Sequence, residues 1–190
     1  MPIDYTKLSL ADVRAELVRI ADDAGSNFGP LDAQQRNWQP ESGRWSAGQC
    51  LQHLVTANRL MLQQAASALD GAHPLTLWQR LPMLPRLLGP ALIRSQAPTA
   101  TRKFTAAPAA TPASDVPADI VAQFLDQHRA ALEQLSALEE ATLARAIMVS
   151  PFIRVVTYSV LDGWRLIVAH DRRHIEQARR VLAAPGFPAR

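Results

Sequence analysis

Apolar residues recur every three or four positions in four long stretches of this chain, and nowhere do they alternate for long enough to build a sheet. That pattern demands helices packed on helices. The first stretch runs from Leu10 to about Ala24, through Val13, Leu17 and Ile20, with Ser9 placed to cap it and Gly25, with Gly29-Pro30, placed to stop it. The second opens at Ser46, where Ser46 and Gln49 have the spacing of a capping box, and continues to about Leu69. The third follows Pro117 and carries Ile120, Phe124, Leu132, Leu135 and Leu138 on one stripe. The fourth starts near Ser159, with Asp162 at its third position, and continues to Leu182. Phe152 to Val156 is the only β-like scrap. The expected fold class is therefore all-α, with 190 residues forming a single domain over 1–190.

Residues 74–117 separate the second and third helices and hold eight of the fourteen prolines. Their first half (Leu77, Trp78, Leu81, Leu84, Leu87, Leu88, Leu92, Ile93) suits broken helical turns packed on the domain. The second half, rich in Ala, Pro and Thr, reads as an extended crossover.

Charge and composition narrow the partners. Twenty basic residues against 17 acidic ones give a net charge of only +3, and two of the twenty are lysine. That is no dense basic face, so nucleic-acid binding is not expected. The longest apolar run, from Leu81 to Ile93, is cut by Arg86 and three prolines, so no membrane partner is expected either. Asp4, Asp12 and Glu16 interrupt the first twenty residues as a secretory leader would not allow, and the single Cys50 suits a reducing compartment. Both point to the cytoplasm.

Of five histidines, His170 and His174 stand four apart on the last helix, so they lie on one face. That face continues through Leu166, Ile167, Gln177, Ala178 and Val181; Arg172, Arg173, Glu176, Arg179 and Arg180 fall on the other side. His53 sits likewise in line with Cys50, Ala57, Leu60 and Met61. One inward histidine is ordinarily a hydrogen-bonded core residue. Three can instead be ligands for a borderline divalent metal, and the i, i+4 pair fits two coordination positions. Residue pattern alone leaves both readings open. The run from His170 to His174 has the outline of a zincin motif, but Asp171 replaces the glutamate base and no third ligand follows. Asp171 points off the histidine face and is expected to pair with an arginine. Cys50 reads as packing, Trp38 and Trp45 as a plug on the bundle's end, His73 as a surface loop residue, and His128 as close enough to approach the site.

The segments Trp38-Gln39-Pro40, Gly43-Arg44-Trp45-Ser46 and Gln49-Cys50-Leu51-Gln52-His53-Leu54, followed far downstream by His170, His174 and Gln177, resemble the two motifs of the DinB-like superfamily. Ser150-Pro151-Phe152 and the helix carrying Trp164 resemble the approach to the second motif. The resemblance implies a four-helix bundle with a long Pro-rich crossover between helices two and three. It makes His53, His170 and His174 a histidine triad holding a divalent metal ion, nickel or zinc first, with iron and manganese as the other candidates. It implies a homodimer, in keeping with a second helix that is also apolar on its far side, at Leu51, Val55 and Leu62. That side needs a cover, either the 77–93 segment or a second subunit. The implied activity is that of a metal-dependent enzyme, a thiol S-transferase or isomerase using a low-molecular-weight thiol, or a hydrolase, acting on a small-molecule substrate. A non-catalytic helical binding module with a structural or absent metal is the competing reading.

Overall fold

A computed structural model describes residues 3–72, 76, 79, 83–101 and 105–189, leaving out the side chain of Leu84. His73, Leu77, Trp78 and Leu81 lie outside the described residues. The elements in chain order are a 3-10 turn (Tyr5–Lys7), α1 (Leu10–Phe28), α2 (Ala33–Asn37), α3 (Ala47–Leu69), α4 (Met83–Gln96), a 3-10 turn (Pro108–Ala110), α5 (Ile120–Ser136), α6 (Glu140–Arg145), β1 (Ile147–Val149), β2 (Thr157–Ser159) and α7 (Val160–Leu182). The fold is all-α in class, with β1 and β2 forming a small antiparallel hairpin in which Met148 faces Tyr158.

Three of the long helices, α1, α3 and α7, begin at a serine cap. Ser9 and Asp12 exchange side-chain-to-backbone hydrogen bonds of 3.1 and 2.9 Å at the start of α1. Ser46 and Gln49 do the same at α3, at 3.0 and 3.1 Å, and Ser159 accepts from the Asp162 amide at α7. The caps satisfy amides that have no partner inside the helix. Helix α1 runs one turn past its expected end, because Gly25 is right-handed like its neighbours. A helical glycine costs about 1 kcal/mol relative to alanine. Burying Ala24 and Phe28 completely outweighs that, and the helix stops only before Pro30.

Helix α1 packs on α5 and α7, and α3 packs on the same two helices. Val13, Ile20, Leu54, Phe124, Leu135 and Val168 fill the interior between them. Helix α5 covers the far side of α3: the Gln127 side chain donates to the Val55 carbonyl at 2.9 Å, and Leu51 is buried. The cover expected from the 77–93 segment or a second subunit is thus supplied by α5.

Within the first half of the proline-rich link, Met83–Gln96 form a helix, α4, despite Pro90 inside it, and it packs on α7 and β2. Gly89 allows the close approach, since a Cβ there would stand 2.5 Å from Asp162 Oδ2. The second half is stitched along α3. Gln49 Nε2 donates to the Ala113 carbonyl at 2.8 Å, Gln52 Oε1 accepts from the Ala113 amide at 2.8 Å, and Asn37 Oδ1 accepts from the Val116 amide at 3.2 Å.

One short element departs from the sequence reading. The β-like scrap from Phe152 to Val156 is the connection of the hairpin rather than a strand, and Ser150 Oγ accepts from the amides of Phe152 and Ile153 to form its turn. Two of the α7 arginines reach α1. Arg172 bridges Glu16 at 2.9 Å and also bonds Asp23, and Arg179 reaches Asp23 at 3.0 Å, so α7 is tied to α1.

Candidate metal centre

Helices α3 and α7 lie side by side, and this brings together histidines 117 positions apart in sequence. His53, His170 and His174 each present one ring nitrogen, and these nitrogens all lie within 4.8 Å of one another. His53 Nε2 and His170 Nε2 are 3.2 Å apart. His53 is 5% exposed, and His170 and His174 are half-buried as residues.

The Pro-rich crossover decides which nitrogen of His53 faces the cluster. His53 Nδ1 lies 2.6 Å from the Ala110 carbonyl, which can only accept, so the Nδ1–H donates and the Nε2 lone pair points inward. A backbone acceptor on the outer nitrogen is the usual way a ligating histidine is oriented. All three imidazoles are held neutral. Burial lowers the His53 pKa, against opposing pulls from the Ala110 bond and the Asp171 charge. Burial, then His174, His53 and Arg173, puts His170 well below the ordinary histidine value. Burial, then His53 and Arg173, brings His174 down to about 3. Neutral imidazole is the form that coordinates metal.

The donor set fits a divalent ion. Two nitrogens at 2.0–2.1 Å from a tetrahedral ion stand about 3.3 Å apart, close to the observed separation. His174 Nδ1 is buried without a hydrogen-bond partner. No carboxylate or thiolate joins the cluster among the described residues, so three neutral ligands would leave a coordination position open.

Around the histidines the surroundings differ in part from the sequence reading. Trp45 is not an end plug: its ring stacks on His174 at 5.8 Å and leans on His53 at 4.9 Å. Trp38 does plug the end, edge-on to Phe187. Cys50 is fully buried, outside the cluster, with its thiol pushed up to about 12 by burial, as a packing residue would be. Gln177 stands beside His174 and favours its protonation slightly.

Among the described residues Asp171 pairs with no arginine. It is fully buried and accepts from Asn58 Nδ2 at 3.0 and 3.2 Å and meets His128 Nε2 at 3.0 Å. His128 Nδ1 in turn lies 3.0 Å from the Phe124 carbonyl. The sequence reading did not find this network, which lies one residue from a proposed ligand. Its signal was present: Trp164, Val168, Asp171, Ile175 and Ala178 form a second buried stripe on α7. A carboxylate in such a stripe requires buried donors.

No curated protein and no solved structure matches the chain. The sequence profile of the DinB superfamily matches residues 9–178, a span that runs from the cap of α1 to beyond the last histidine. The chain belongs to the DinB superfamily.

Proposed function

We propose that this chain is a single-domain DinB-like four-helix bundle, built on α1, α3, α5 and α7 with a Pro-rich crossover, that binds a divalent metal through His53, His170 and His174. The observation that carries this reading is the pair of facing Nε2 atoms 3.2 Å apart, one with its lone pair fixed inward by the Ala110 carbonyl. Nickel and zinc suit three imidazoles best, with iron and manganese as alternatives. The further reading is a cytoplasmic, homodimeric metalloenzyme acting on a small molecule. In such a site the ion supplies Lewis acidity and lowers the pKa of a bound thiol or water. The chain's own residues do the rest. Ala110 holds the His53 tautomer, and Trp45 walls one side of the histidines. No acidic group in the cluster competes for the open position.

A thiol transferase or isomerase and a hydrolase differ in what takes that position. Cobalt-loaded protein titrated with a low-molecular-weight thiol is expected to develop a near-ultraviolet thiolate charge-transfer band, absent in His53→Ala. A loaded protein that shows no band with any small thiol would turn the assignment to the hydrolase. The competing non-catalytic module has one observation in its favour: 3.2 Å is also the length of an N–H···N bond between His53 and His170. Protein that stays metal-free when offered nickel or zinc would select it.

A further inference from the structure

Seven large hydrophobic side chains are exposed among the described residues, and five of them sit on two neighbouring segments. Helix α4 contributes Met83, 70% exposed, and Leu87, 63% exposed. The connection between β1 and β2 contributes Phe152, Ile153 and Val155, at 38%, 48% and 63%. Helix α4 packs on β2, the strand that follows the connection, and Gln79 Nε2, ahead of α4 in the chain, donates to the Arg154 carbonyl at 3.0 Å, so the two segments are neighbours. The opposite side of α4 is spent inward, with Ile93 buried and Gly89 against Asp162.

Charge on this face has one sign. Residues 71–114 contain five basic residues and no Asp or Glu, and residues 141–161 contain Arg145 and Arg154 and again no acid. Arg86 and Arg154, next to the exposed apolar side chains, make no ion pair among the described residues. Arg94, at the far end of α4, has the Asp4 carboxylate near it.

We infer that α4 and the β1–β2 connection form a docking face for an anionic membrane surface. A second copy of the chain is a poor occupant. A two-fold interface would set Arg86 and Arg154 against their own kind with no acid in either segment to answer them. Nucleic acid supplies the charge but has no use for exposed Met, Leu, Ile and Val. Aliphatic side chains flanked by arginines are what a headgroup–acyl boundary accepts, apolar groups inserting while guanidiniums meet lipid phosphates. The expectation of no membrane partner rested on the lack of a spanning segment, and a helix lying in the interface needs none.

Co-sedimentation tests this, with vesicles of phosphatidylcholine alone and of phosphatidylcholine mixed with phosphatidylglycerol. The wild type is expected to bind the mixed vesicles, to bind the neutral ones far less, and to be released by salt. Replacing Arg86 and Arg154 by alanine should weaken binding about fivefold per residue, the factor equivalent to about 1 kcal/mol per basic side chain at the surface. Met83→Ser with Leu87→Ser should weaken it tenfold or more, by roughly the loss of two partly inserted side chains. All four positions lie on the exposed face, so thermal stability should hold, and a circular dichroism melt checks that. Equal binding to both vesicle types, no binding at low salt, or undiminished binding by the serine variant would each overturn the inference. So would light scattering in which the serine variant splits a wild-type dimer, since the face would then be a self-interface.

Discussion

Asp171 carries a carboxyl group into the interior of α7 and meets two polar partners there, Asn58 Nδ2 from α3 and His128 Nε2 from α5. Three helices are thereby pinned at one level, directly behind His170. Removing one partner of a buried hydrogen-bonded pair leaves the other unsatisfied, at about 1–3 kcal/mol. His128→Ala is therefore expected to lower the unfolding free energy by that order in urea titration, while Cys50→Ala, which removes a packing thiol alone, should cost less. A His128→Ala protein as stable as the wild type would show that the pair contributes nothing. The three histidines of the cluster make a second prediction. Their folded pKa values lie below the unfolded value of about 6.5, so the unfolded chain takes up protons that the folded chain refuses. Their contribution is intact above pH 6.5 and is lost as pH falls below it, by up to about 1.4 kcal/mol per histidine per pH unit. Urea midpoints of chelator-treated protein should drop steeply between about pH 7 and 5.5, where carboxylates barely titrate. A flat profile would mean that the rings are solvated.

The long helices α1, α3, α5 and α7 were legible because each carries enough turns for a period to show and a Ser or Pro to mark its start. Helices α2 and α6 and the β-hairpin were not, since five or six residues, or three, hold too little of any period. Helix α2 did carry a local signal, the Asp32–Gln35 capping box. Helix α4 shows how tertiary fit overrides a proline-rich sequence. Its axis lies so close to α7 that any side chain at Gly89 would meet the Asp162 carboxylate, which Arg165 holds at 2.9 Å. Gly89→Ala is expected to cost about 1–3 kcal/mol, read as a lower urea midpoint with an unchanged slope. Unaltered stability would place α4 farther from α7 than it stands here.

At the scale of the whole molecule, the three histidines were nameable from sequence because helical spacing turned all of them inward and two distant motifs had the right order. What sequence could not supply is the non-local part. The Ala110 carbonyl that orients His53 comes from a crossover without any motif, and Trp45 reaches the site from the turn before α3. The central claim is that His53, His170 and His174 hold one ion between α3 and α7. Elemental analysis of protein purified without an affinity tag or added metal, paired with melting curves with and without chelator, tests it most directly. Wild-type protein should carry a near-stoichiometric divalent metal, and chelation should remove the stabilisation it gives, about 2.7 kcal/mol when free metal is a hundredfold above its dissociation constant. Each of His53→Ala, His170→Ala and His174→Ala should reduce metal to traces and abolish the chelator effect. Full metal retained by His53→Ala but lost by His170→Ala would contradict the account and put a local site on α7 in its place.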